Sequence, residues 1–279
     1  STREALCYNV AIVKIIPEGE MKKFFICAVL LVLSVPAYSA ALDLAKLPEP
    51  DVQQVKDLIV KLEPYIRERE AAENLAKLTF DELYAPLDED ERAFLKGFQD
   101  IDPKAAGVRI PYREIATGQE ELVVLRGQKM KVVKDGKEEE KIVPPQYLPP
   151  PVFQKYTEMM DAMQKDLGKR LLVESGYRSS AYQLYLFVYY LKNHEYSITE
   201  TVKFVTLPGY SEHGSPNHQA VDFINENGIN GEEVPEEFEA LPEYRWLLEN
   251  AVKFDFVLSY PRNAQGGITF EPWHWRYEK

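Results

Sequence analysis

The chain has 279 residues, 45% of them hydrophobic, enough to bury a substantial core in one main domain with an accessory segment. Its 45 acidic residues outweigh 33 basic ones and leave a net charge of −12. No basic patch in the sequence resembles a nucleic-acid footprint, and that balance disfavours nucleic acid and other polyanions as partners.

Met21 opens "MKKFFICAVLLVLSVPAYSA", in which Lys22 and Lys23 precede an apolar stretch over 24–35, and Ala37 and Ser39 stand at the −3 and −1 positions of a cleavage site. The apolar stretch falls short of the roughly 20 residues that span a bilayer. The sequence therefore predicts a cleaved secretory signal over 21–39, with 1–20 as upstream residues outside the fold. The expected product is exported to the periplasm or cell envelope and does not insert in the membrane. Both cysteines, Cys7 and Cys27, lie before residue 40, so the exported protein has neither a disulfide nor a thiol nucleophile.

Residues 40–107 read as a helical N-terminal extension. Val52, Val55, Leu58, Ile59 and Leu62 recur at helical spacing behind Asp51, the expected N-cap. A second amphipathic segment follows Asp88, with Phe94, Leu95 and Phe98 on one side and Glu91 completing a capping box. Two β-rich runs then flank Asp135-Gly136, a hairpin signal. The proline cluster over 143–153 reads as a rigid connector. A helix over 152–167, a strand in "RLLVESGYRS", an aromatic-rich helix over 180–192 and a short helix capped by Ser197 and Glu200, running to about 207–209, follow. The remainder reads as a helix in "PEYRWLLENAVK", a strand in "FDFVLSYP" and a closing strand in "GGITFEPWHWRY". Helices gather early and strands late, which predicts an α+β fold rather than repeated βαβ units.

The sequence contains no H-E-x-x-H, G-x-S-x-G or S-x-x-K, the signatures of zincins, α/β-hydrolases and serine penicillin-binding enzymes. The chemistry-bearing residues that remain are His213, His218, Asp222, Glu271 and His274. A catalytic zinc site takes three nitrogen or oxygen ligands and an open position, with a free carboxylate as proton acceptor. One histidine and Asp222 from "PGYSEHGSPNHQAVDF", with His274 from "EPWHWRY", would make that ligand set and leave Glu271 as the base. "AVDF" alternates as a strand does, with Asp222 on one face and Val221 and Phe223 on the other.

In this order, "SGYRS", "PGYSEH…AVDF", "FVLSYP" and "EPWHWRY" resemble the motifs of the VanY-type D-alanyl-D-alanine carboxypeptidases, members of the LAS group of zinc peptidases. The resemblance covers about 150–279, the core of a peptidase domain over 108–279. It implies a small antiparallel sheet flanked by helices and carrying one Zn²⁺ held by His213, Asp222 and His274, with Glu271 as general base. It further implies that Arg178 binds substrate or stabilises the oxyanion, and that Gln183 and Ser211 line the substrate pocket. The family pattern S-x-H-x-x-G-x-A-x-D separates histidine from aspartate by seven positions. Here His213 and Asp222 are nine apart, and His218 takes the place of the glycine. Turn-forming residues at 215–217 would let the extra pair bulge outward. The rival is His218 as ligand, because 218, 220 and 222 would share a strand face.

The expected activity is a monomeric zinc carboxypeptidase that removes a C-terminal D-amino acid, D-alanine, from peptidoglycan stem peptides, with D,D versus L,D specificity open. The alternatives are a D,D-dipeptidase or murein endopeptidase on the same scaffold, or a non-catalytic cell-wall binding module.

Overall fold

The computed structural model describes residues 42–109, 113–134, 136–263 and 269–278. The upstream residues 1–20, the signal-like segment 21–39, both cysteines and Asp135 lie outside the described residues. Among the described residues no helix is long and apolar enough to cross a membrane.

Residues 47–106 build a helical layer. Helix α1 (Glu49–Ala71) begins two residues before the expected cap: Pro48 stands at the N-cap and Asp51 lies in the first turn, where its charge suits the helix N-terminus. Its stripe of Val52, Val55, Leu58, Leu62 and Ile66 is buried. Helices α2 (Phe80–Tyr84) and α3 (Glu89–Gly97) each start in a reciprocal capping box, Thr79 with Glu82 and Asp88 with Glu91. A short helix, α4 (Pro103–Ala106), closes the layer.

Strand β1 (Val123–Leu125) pairs with β4 (Gln146–Leu148), and between them β2 (Lys129–Lys134) and β3 (Lys137–Ile142) form the expected hairpin. The proline cluster over 143–153 is more ordered than a connector. It contains β4, and its next prolines begin helix α5 (Pro150–Leu167), because proline at a helix start forfeits no needed N–H. Along α5, Val152, Tyr156, Met159, Met160 and Met163 face the core.

The central sheet is antiparallel, with strand order β5-β6-β8-β7: β5 (Leu171–Ser175), β6 (Ala220–Asn225), β7 (Phe256–Leu258) and β8 (His274–Tyr277). The closing strands are shorter than the sequence suggests. β7 ends at Leu258, and β8 starts only at His274, after a turn at 272–273. Helices α5, α8 (Pro235–Glu239) and α9 (Pro242–Asn250) contribute to one apolar cluster with Val173, Val221, Phe223 and Trp275 of the sheet.

Helix α6 (Ser180–Tyr190) continues as a 3₁₀ turn over Leu191–His194. The helix capped by Ser197, α7 (Ile198–Thr201), ends well before residue 207. Leu184, Phe187, Val188 and Leu191 join α1–α4 in a second apolar cluster, with Phe187 packed on Phe98. The whole is an α+β fold with small antiparallel sheets flanked by helices.

Candidate active site

Strand β6 is the hub of the site. Asp222 lies opposite His274 on β8 and opposite Ser175 on β5, where the β5–β6 ladder carries a bulge. His213 arrives from a single 3₁₀ turn, Glu212–Gly214, and all three side chains are buried. Asp222 Oδ2 lies 3.0 Å from His213 Nε2, and its Oδ1 lies 2.7 Å from His274 Nδ1. One donor atom from each of the three lies within 4.8 Å of the others.

The opposite ring nitrogens are already committed. His213 Nδ1 sits 2.8 Å from the Gly176 carbonyl, and His274 Nε2 sits 2.9 Å from Glu212 Oε2. If each of these nitrogens carries its proton, His213 Nε2 and His274 Nδ1 keep lone pairs turned toward Asp222. A hydrogen bond from the outer nitrogen to a fixed acceptor sets tautomer and ring orientation in metal-binding histidines. Glu212, which the sequence reading passed over, is 4% exposed and also contacts Arg276 Nη1 at 3.2 Å. Its only sequence signal is adjacency to His213; the residues that give it a role come from β8.

The carboxylates divide sharply in acidity. Burial works against ionisation of Glu212, yet His274 and Arg276 outweigh it and hold the carboxyl down at about 2. Burial likewise opposes the charge on Asp222, and the two imidazoles hold it well below the usual carboxylate range. Burial lowers His213, whereas on His274 the same penalty is overcome by Asp222 and Glu212, which raise it. Glu271, whose Oε2 is 3.9 Å from His274 Nδ1, is raised to about 7, chiefly by burial, with Asp222, Glu212 and Glu232 adding to it and His274 opposing. The Tyr260 carbonyl accepts from the Glu271 N–H at 3.1 Å, and the Tyr260 ring stacks on His274 at 4.8 Å.

Arg178 donates its backbone N–H to the His213 carbonyl at 2.9 Å. Its guanidinium forms no ion pair among the described residues, yet its charge acts on both His213 and Glu232. Two glycines permit this crowding. A Cβ on Gly214 would stand 2.8 Å from the Arg178 carbonyl, and one on Gly176 would stand 2.5 Å from the Tyr147 carbonyl. Glu174, raised to about 7 by burial and by neighbouring Glu232 and Asp222, accepts from Asn230 at 3.0 Å.

The structure thus brings His213, Asp222, His274 and Glu271 together, with Arg178 beside them. Ser211 is buried two residues before His213, and its carbonyl accepts from Gly214. Gln183 spends its amide on the Thr206 carbonyl at 2.8 Å, a tie between α6 and the following loop. His218 is drawn elsewhere, with Nδ1 3.7 Å from Glu114 Oε1.

The sequence model of VanY, D-alanyl-D-alanine carboxypeptidase, matches residues 145–279. The bifunctional D-Ala-D-Ala dipeptidase and D-Ala-D-Ala carboxypeptidase VanXYC of Enterococcus gallinarum is 31% identical over 133 residues, covering 47% of this chain and 67% of that protein. The chain belongs to the VanY-type carboxypeptidase family. Another relative, the D-alanyl-D-alanine carboxypeptidase of Enterococcus faecium, is 32% identical over 133 residues, covering 47% of this chain. The chain spans only 37% of that relative's length. Among solved structures, a mutant of the vancomycin resistance D,D-pentapeptidase VanY from a VanB-type cassette, in complex with Zn(II), has a TM-score of 0.40 and 23% identity, covering 60% of this chain and 86% of that one.

Proposed function

We propose that this chain is an exported zinc carboxypeptidase that hydrolyses the C-terminal D-amino acid, D-alanine, from peptidoglycan stem peptides. The observation that carries the reading is the convergence of His213, Asp222 and His274, with each histidine's outer nitrogen held by a buried acceptor. Two imidazole nitrogens and a carboxylate oxygen are a donor set that suits one zinc ion with a position left open. When bound, the ion supplies Lewis acidity to the scissile carbonyl and to the attacking water. Glu271 accepts the proton of that water and later returns it to the leaving amine; burial beside other carboxylates raises its carboxyl above the usual carboxylate range, which strengthens it as a base. Arg178 presents a fork of donors with no carboxylate partner among the described residues, suited to the substrate's terminal carboxylate or to the developing oxyanion. Ser211, two residues before His213, is assigned to that pocket, whereas Gln183 is buried with its amide spent on the Thr206 carbonyl. The signal-like segment 21–39 supports action in the periplasm or cell envelope.

The bifunctional relative gives weight to a second activity on the same scaffold, cleavage of the free D-Ala-D-Ala dipeptide. Incubating the protein with purified muropeptides and, separately, with D-Ala-D-Ala, with and without chelator, tests both by mass spectrometry. Loss of one D-alanine from pentapeptide stems, abolished by the chelator and restored by zinc, is the expected result. Product from the dipeptide alone would shift the assignment to a dipeptidase, cross-link cleavage to an endopeptidase, and binding without any product to a wall-binding module.

A further inference from the structure

His213 lies on a single 3₁₀ turn, and nine positions separate it from Asp222, including the turn residues Ser215, Pro216 and Asn217. Such a segment has little regular structure of its own to hold the ring in place. One residue grips it at both ends. The backbone N–H of Glu114 donates to the Gly209 carbonyl at 2.9 Å, ahead of His213. Beyond His213, the Glu114 carboxylate accepts from Ser215 Oγ at 2.5 Å, from Asn217 Nδ2 at 3.1 Å and from the Asn217 N–H at 3.4 Å, and it lies 3.7 Å from His218 Nδ1.

Glu114 itself stands on an anchored strap. Two residues on, Ala116 exchanges hydrogen bonds with Ser180 at the start of α6: its N–H donates to Ser180 Oγ at 3.0 Å, and its carbonyl accepts from the Ser180 N–H at 2.9 Å. The strap also lies against the segment it holds. Gly209 has φ +86°, and a Cβ there would stand 2.8 Å from Ile115 Cδ1, while the Cβ of Ala116 lies 3.3 Å from where a Cβ on Gly214 would be.

The geometry points to Glu114 as a positioning residue that sets His213 for the metal by clamping the 209–218 segment on both sides. This rests on the reading that His213, Asp222 and His274 bind zinc. Metal ligands must sit within a few tenths of an ångström of their bonding positions, and groups that orient ligands typically cost about 10–100-fold in affinity when removed.

The test measures zinc dissociation constants by competition with a chromogenic chelator, alongside thermal melting, for the full chain and for E114A, E114Q, S215A/N217A and the E114A/S215A/N217A combination. E114A and S215A/N217A are each expected to weaken zinc binding about tenfold or more, with E114Q between them and the wild type. The combination is expected to be no weaker than E114A, since all the changes cut one clamp. Zinc affinities within about twofold of wild type, even with lowered melting temperatures, would make Glu114 a purely structural residue and overturn the inference; so would additive losses. If E114A does not fold, the S215A/N217A variant decides by the same criterion. A wild type that binds no zinc overturns the functional reading and the inference with it, whereas a zinc-binding wild type with unaffected variants overturns the inference alone.

Discussion

Glu212 and Glu271 flank the same imidazole, and both pay for burial, yet their acidities are driven in opposite directions, to about 2 and about 7. The difference is the company each keeps. Glu212 shares a hydrogen bond with His274 and faces the Arg276 cation, while Glu271 faces three carboxylates with His274 opposing them. Pairs of carboxyls separated in this way divide fixed-charge and proton-transfer roles between them. Glu271 works as a base only when deprotonated, so activity falls as pH drops through its pKa. The positive charge of a bound zinc moves that limb downward. kcat/KM should therefore show an acid limb at or below about pH 7, read from initial rates across pH 4–9. Glu271→Gln should lower kcat by at least about 10²–10⁴-fold and flatten the limb while leaving one equivalent of bound zinc; near-normal turnover in that variant would remove Glu271 from the mechanism. Glu271 was legible in the sequence, three positions before His274 with a proline between. Glu212 was not, because its partners come from a strand more than sixty residues away.

Strand boundaries decide which of two histidines joins the site. Alternation alone allowed 218, 220 and 222 to share one face. The ladder, however, pairs β6 with β8 only from Ala220 onward, and His218 belongs to the turn that precedes it, with its N–H closing back on the Ser215 carbonyl. That leaves the single 3₁₀ turn at Glu212–Gly214 to deliver His213 beside Asp222. His213→Ala should abolish stoichiometric zinc binding, and His218→Ala should retain one equivalent, both measured by metal analysis after dialysis; loss in His218→Ala alone would reverse the assignment. Elements with strong local signals were readable from the sequence, among them the capping box at Asp88 and the hairpin at 129–142. The short strand β4 was hidden because prolines surround it, and its pairing with β1 is non-local.

At the scale of the molecule, the sequence divides a helical extension over 40–107 from a peptidase domain over 108–279, but the apolar core does not respect that division. Amphipathic spacing shows which face of a helix is buried without naming its partner, and for α1 the partner is α6, more than a hundred residues on. Leu184, Phe187, Val188 and Leu191 are each at most 2% exposed in a cluster otherwise built largely by α1–α4 and the turns between them. The contact also reaches the site. Ser179, next to Arg178, donates its N–H to the Ala76 carbonyl at 2.8 Å and its hydroxyl to the Leu78 carbonyl at 2.5 Å. Burial is worth about 1.5–3 kcal/mol for each such side chain, so uncovering these four forfeits about 6–12 kcal/mol, against a whole-domain stability of about 5–15 kcal/mol. A fragment of residues 108–279 should therefore lack a cooperative thermal transition and expose an apolar patch to dye binding, whereas residues 40–279 unfold in one step with zinc bound. Cooperative melting and wild-type zinc affinity in the shorter fragment would show that the helical layer is dispensable. The predicted failure would make the N-terminal helices part of the scaffold that holds α6 and the Arg178 loop at the site.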